Sequence, residues 1–250
     1  MRAVLDRIKQ RKEEFAQIPL IQFMQDQSID PRQRLAWAPC LAPFAMNFKD
    51  FNRQVLYQEP ASSKIQQLLN EHSQEDGRHW VWFLQDLKLL GFDQMFSYTD
   101  MLRFLWGEET RKTRRLCIDL FGMCAFEENP LMKLVVVEAL EATGNVALYE
   151  TAQVAKALKE ITHQHHPYFS ASHYAVESGH IQAEMTHSEI EEFLEQIELT
   201  EADQRKAFLL VDRVFAAFTE SMDEMLTFAQ THSYDQVLVT RKYQREKVAA

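Results

Sequence analysis

Apolar residues recur every three or four positions along most of the 250-residue chain, the period of helices that bury one face. The pattern predicts an amphipathic opening helix over 2–17. Pro19, Pro31, Pro39 and Pro43 then punctuate a run of short helical pieces. A helix over 43–57 carries Phe44, Phe48 and Phe51 at helical spacing. Over 62–90, Ile65, Leu68, Leu69, His72, Glu75, Asp76, His79 and Phe83 hold one face. Gly77 inside that run is placed for a kink, and Gly91 for a stop. Further helices are expected at 98–106, 108–126 and 130–161, with Gly144 as a place for a bend. Pro167 opens another, 168–197, and Thr200 caps the next, with Glu201 and Asp203 supplying acid to its first turn, through 231. A last helical piece is expected over 234–247.

No low-complexity linker and no internal repeat interrupts the chain. The expectation is one all-α domain over 1–250, a compact bundle of seven to eight main helices. Within it, 1–40 holds the first helix and the proline-punctuated segment, 41–232 the core bundle, and 233–250 a C-terminal helix or tail.

Composition narrows the function classes. A content of 46% hydrophobic residues with only 6 Gly and 7 Pro suits a helical core. The formal charge of -10 argues against a nucleic-acid partner, which needs a basic stripe. The longest apolar run, LMKLVVVEAL, is broken by Lys133 and Glu138 and is too short to cross a bilayer. The opening MRAVLDRIKQRKEEF has no apolar secretory core. Cys40, Cys117 and Cys124 form no disulfide framework and fit a reducing cytoplasm, with Cys117 and Cys124 packing as small hydrophobes. The acidic surface and spare apolar residues in the first sixty positions permit a homodimer without requiring one.

The candidate chemistry lies on three helices. In SASHYAVESGHIQAEMTH, residues 170–187, His173, Glu177, His180, Glu184 and His187 follow one another at spacings of 4, 3, 4 and 3. On a helix these five fall within an arc of about 80°. In NEHSQEDGRHWVWFLQDL, His72, Glu75, Asp76 and His79 form a second such face. Between the two, VVVEALEATG places Glu138 and Glu141 in one of the most apolar helices of the chain. A lone buried carboxylate costs several kcal/mol, so such groups are paired, protonated or metal-bound. Carboxylates and imidazoles converging from facing helices suit a pair of iron or manganese ions.

Each piece has a plainer reading. Glu75 and Asp76 are also what a solvated turn contains, and one of Glu138 and Glu141 fits an exposed edge. A lone His173 fits a hydrogen-bonded core histidine. Glu184 and His187 continue the stripe toward solvent. The HQHH run at 163–166, before Pro167, fits a helix end, where the dipole favours histidine.

The order of a carboxylate/His helix, a Glu-bearing helix and then His173-x-x-x-Glu177-x-x-His180 resembles the heme-oxygenase-like di-iron oxidases and oxygenases. These iron-containing redox enzymes are distant relatives of the TenA and PqqC proteins, and the resemblance spans about residues 40–230. It implies His79 as the first-helix histidine. Its carboxylate partner is Asp76, three residues before, or Glu75, four before; His72 stands where some members have glutamate. Glu141, ahead of Thr143-Gly144, matches the middle glutamate, with Glu138 as the alternative. Glu177 replaces the more usual aspartate and reaches one methylene farther. His72 is then a further ligand or a group that orients Glu75 or Asp76.

The resemblance further implies O2-dependent oxidation of a small organic molecule, with one or two Fe(II) ions held by His79, Glu141, His173, Glu177 and His180 together with Asp76. Trp80, Phe83, Tyr149 and Tyr174 are aromatic candidates for a substrate pocket, and Arg78, Arg111, Arg114 and Arg115 for pairing with a substrate carboxylate. For ETRKTRR a basic solvated face is the simpler reading. Heme oxygenase chemistry itself is disfavoured, because the first 71 residues contain no histidine and Gly144 and Gly179 are isolated. A metal-free enzyme of thiaminase or PqqC type, using a cysteine or a polar cavity, is the alternative, and a binding protein without activity is a third.

Overall fold

The computed structural model describes residues 1–94, 97–179, 187–236 and 238. Among these the regular structure is helical. The helices are α1 (Arg2–Phe15), α2 (Pro19–Gln25), α3 (Pro31–Arg34), α4 (Ala42–Phe51), α5 (Lys64–Asp76) and α6 (His79–Leu89). They continue with α7 (Tyr98–Leu105), α8 (Arg111–Cys124), α9 (Pro130–Thr162), α10 (Ala171–Gly179), α11 (His187–Glu195) and α12 (Glu201–Thr231). No helix among the described residues is long and apolar enough to cross a membrane.

Local signals set most boundaries. Ser63, Asn129 and Thr200 each turn a side-chain oxygen to a first-turn N–H, of Gln66, Leu131 and Asp203 respectively. Pro130 occupies the first turn of α9, where its missing N–H costs nothing. Gly91, after α6, has φ +85, a left-handed conformation that favours glycine at a helix end. At the far end of α9, His163 takes φ 57 and donates its N–H to the Lys159 carbonyl, so HQHH is a helix end as expected.

The structure differs from the periodic reading after residue 232, and it turns the kink expected at Gly77 into a full break. The run 62–90 is two helices, because α5 ends at Asp76 and α6 begins at His79. Within the 168–197 run, helix is described over 171–179 and 187–195, and 180–186 lie outside the described residues. Residues 233–236 form a turn rather than the start of a helix, and most of 234–247 lies outside the described residues. By contrast, α9 runs uninterrupted through Gly144 for 33 residues, about 50 Å.

The long helices α9 and α12 pack against each other and organise the rest. α1, α5 and α10 lie on α9, while α8 lies on α12 and α4 on α8. Along α9, Leu134, Val135, Val136, Val137, Ala139 and Leu140 are all buried. Burying each large aliphatic chain contributes about 1.5–3 kcal/mol. α4 anchors its neighbours through rings: Phe44 meets Phe218 edge-on at 5.3 Å, and Phe51 meets Phe121 at 5.5 Å. The three cysteines are buried and free, and burial pushes the Cys117 and Cys124 thiols up to about 12. Thiols so desolvated stay protonated at neutral pH and are poor nucleophiles.

Candidate metal centre

Four helices deliver the ligand candidates. α5 ends on Asp76 with His72 one turn earlier, α6 starts on His79, α9 contributes Glu141 and α10 contributes His173. Starting at the α10 end, His173 Nε2 lies 3.2 Å from His79 Nδ1. His79 Nδ1 is 3.6 Å from Asp76 Oδ1, and the other Asp76 oxygen is 3.4 Å from His72 Nε2. His72 Nδ1 is in turn 3.6 Å from Glu141 Oε1. His72, Asp76, His79 and His173 are buried, and the Glu141 side chain is 18% exposed.

These spacings are informative. Two atoms each about 2.1 Å from a shared ion lie about 3.0–3.4 Å apart at octahedral or tetrahedral angles. Steps of 3.2–3.6 Å are at or just above that range. Asp76 turns one oxygen to His79 and the other to His72, the disposition of a carboxylate that spans two positions. His72, Asp76 and Glu141 alone offer three ligand atoms mutually within 4.8 Å. The donor set, imidazole nitrogen and carboxylate oxygen, suits iron or manganese.

The orientation of His173 is set from behind. Its Nδ1 lies 2.7 Å from the Tyr168 carbonyl, which can only accept, so Nδ1 carries the proton and Nε2 presents its lone pair. Tyr168 is itself held by Asp86 on α6, whose Oδ2 accepts from the Tyr168 and Phe169 N–H groups at 3.0 and 2.9 Å. Trp82 completes the mounting, stacked on His79 at 4.8 Å and edge-on to His173 at 5.4 Å. Neither Asp86 nor Trp82 was singled out from the sequence. The signal was present, because Asp86 continues the His72–His79 face by one more heptad, an acid inside an apolar stripe.

Asp86 is fully buried, and its Oδ1 has no hydrogen-bond partner among the described residues. Desolvation raises its pKa from 3.8 to about 7, against the opposing pull of the two backbone N–H groups and His173. A carboxyl that binds its proton more tightly when folded adds stability below pH 3.8, and that share is lost as pH rises toward about 7. Asp86→Asn keeps an acceptor for both N–H groups and cannot ionise. Denaturant unfolding at pH 5 and pH 8 should therefore show a smaller loss in Asp86→Asn than in the wild type. Asp86→Ala should lose about 1–3 kcal/mol at both pH values, with two N–H groups left unpaired.

Beside the cluster is a cavity of about 680 Å³ between α1, α5, α9 and α11. His72 and Glu141 reach it, as do Glu75 and Glu138, among walls of Leu5, Ile8, Leu68, Leu134, Val137 and Leu194. The aromatic candidates do not line it. Phe83 is fully buried against Tyr168, Trp80 sits under the Lys49 ammonium, and Tyr149 pairs with Tyr174. The arginines also lie elsewhere. Arg111 pairs with Glu108 and Arg115 with Asp119 on an exposed face, and Arg114 donates to the Leu105 and Gly107 carbonyls after α7. Arg78 is exposed at the start of α6. The Glu177 side chain, His180, Glu184 and the His187 side chain lie outside what is described.

No protein-family model and no curated protein matches this sequence. Among solved structures, the chain is similar to a domain of unknown function with a heme oxygenase-like fold from Shewanella denitrificans OS217. The two share 15% identity at a TM-score of 0.62, over 94% of this chain and 97% of that one. At that identity the likeness speaks to the fold and not to the chemistry. The chain has an all-α, heme-oxygenase-like fold.

Proposed function

We propose that the protein is an O2-dependent non-heme oxidase or oxygenase of small organic molecules, using one or two iron ions, with manganese as the alternative metal. Asp76, His79, Glu141, His173, Glu177 and His180 are the proposed ligands. His72 is added as a fourth imidazole of the set or as the group that orients Asp76 and Glu141. The observation that supports this is the unbroken run of candidate ligand atoms in 3.2–3.6 Å steps, from buried His173 to part-exposed Glu141, opening onto a 680 Å³ cavity. Bound Fe(II) would supply the electrons and the open coordination positions that dioxygen needs. The chain's own part is to orient His173 with Nδ1 on the Tyr168 carbonyl and Nε2 toward His79, to enclose His72, Asp76 and His79, and to seat substrate against Glu141 and His72.

One observation favours a second reading. His72 turns each ring nitrogen to a different carboxylate, at 3.4 and 3.6 Å, the arrangement of an imidazolium bridging Asp76 and Glu141 without metal. A metal-free enzyme with this cavity would keep that bridge. Anaerobic loading with Fe(II), followed by desalting and elemental analysis, separates the two. One to two irons per chain are expected, and a chain that retains no transition metal would leave the metal-free reading.

A further inference from the structure

The cavity holds two charges that the described chain does not neutralise. Lys12, half-buried on α1, directs its ammonium to a neutral acceptor, Asn145 Oδ1, at 2.6 Å, and makes no ion pair among the described residues. Burial lowers its pKa, as expected for an ammonium short of compensating charge. Across the cavity on α5, one carboxylate oxygen of Glu71 is enclosed and accepts no hydrogen bond among the described residues. The two groups do not pair with each other, although both line the same space. A desolvated charge without a partner is unfavourable, and the cost is removed when a ligand supplies the missing group.

Their placement is ordered relative to the ligand cluster. Asn145, which holds Lys12, lies one helical turn beyond Glu141 on α9, and Glu71 directly precedes His72 on α5. Aliphatic side chains, Leu68, Leu134, Val137 and Val146 among them, form the walls. The volume of about 680 Å³ falls within the roughly 300–1,000 Å³ of small-molecule sites. At the rim, the exposed Lys9 and Glu13 repeat the mixture of signs.

We infer that the cavity binds a small zwitterion with an aliphatic body, its carboxylate on Lys12 and its ammonium on Glu71. This rests on the proposed function in taking the cavity as the substrate site, and it names the substrate class as amine-bearing carboxylic acids. A fatty acid would leave Glu71 uncompensated, and a simple alkylamine would leave Lys12 so. Either molecule then forfeits a charge-assisted hydrogen bond.

The test is isothermal titration of the full chain, anaerobic and Fe(II)-loaded and again metal-free, with 6-aminohexanoate, L-norleucine, hexanoate and hexylamine. At least one of the two zwitterions should bind about tenfold or more tighter than both singly charged probes, the scale of one lost charge-assisted hydrogen bond. Lys12→Met should weaken the carboxylate-bearing probes and spare hexylamine, and Glu71→Gln should weaken the amines and spare hexanoate. Both variants should retain wild-type iron content and melting temperature. Failure of every probe to bind, equal binding of the singly charged probes, or variants that bind all four like the wild type would overturn the inference. Iron retention with no charge discrimination would sink this inference alone. Charge-selective binding by a chain that takes up no iron would sink the metal reading alone.

Discussion

Replacing Asp76 with asparagine is expected to leave a folded chain that retains little iron after anaerobic loading and desalting. Asp76 is the middle of the proposed ligand run, one oxygen toward His79 and the other toward His72, so its charge would serve both sides. Asparagine keeps the shape but offers a neutral oxygen on one side and an NH2 group on the other, which cannot ligate. The loss in metal affinity should exceed the roughly 10–100-fold typical of removing an outer partner of a metal ligand. Glu75→Gln is the matched control, because the sequence alone left Glu75 and Asp76 as alternatives. Glu75 lines the cavity beside His72 and Glu141, so iron loss in Glu75→Gln with iron kept in Asp76→Asn would move the proposed ligand to Glu75. Full iron content in Asp76→Asn, measured by elemental analysis beside a normal helical circular dichroism signal, would remove this carboxylate from the site.

Phe83→Ala should unfold the chain far more readily, losing about 3–5 kcal/mol, the range for truncating a fully buried aromatic. Phe83 is 0% exposed and packs edge-on to Tyr168 at 5.2 Å, beneath the segment that carries the His173 acceptor. In a chain of this size that loss lowers the melting temperature by roughly 2–4 °C per kcal/mol. A pocket aromatic would behave otherwise, tolerating truncation with little change in stability and a large change in ligand binding. Denaturant unfolding of Phe83→Ala distinguishes these outcomes. A loss below about 1 kcal/mol would contradict its place in the core.

Such contrasts show where periodicity stops being informative. Phe83 and His79 belong to one helical stripe, four residues apart, yet one is packing and the other faces Asp76 and His173. Spacing reports which face of a helix a residue shares, and not what the neighbouring helix brings to that face. Trp80 and Tyr149 were pocket candidates as aromatics, and neither lines the cavity, whose apolar walls are aliphatic side chains of α1, α5, α9 and α11. Lys12 and Glu71 carry no local signature either. They line one cavity only because α1 and α5 both pack on α9.

The linear sequence by itself determined the helical class, the cap at Thr200, the stop at Gly91, the weak point at Gly77 and the residue types available for a metal. Each of these depends on backbone propensity, on hydrogen bonds within a few residues, or on composition, all of which act locally. The tertiary structure alone decided the burial of Asp86 beneath the loop before α10 and the 3.2 Å approach of His173 to His79 across 94 residues of chain. The physical reason is that side chains on different helices meet only after hydrophobic burial has fixed how the helices pack, and that free energy is summed over the whole core.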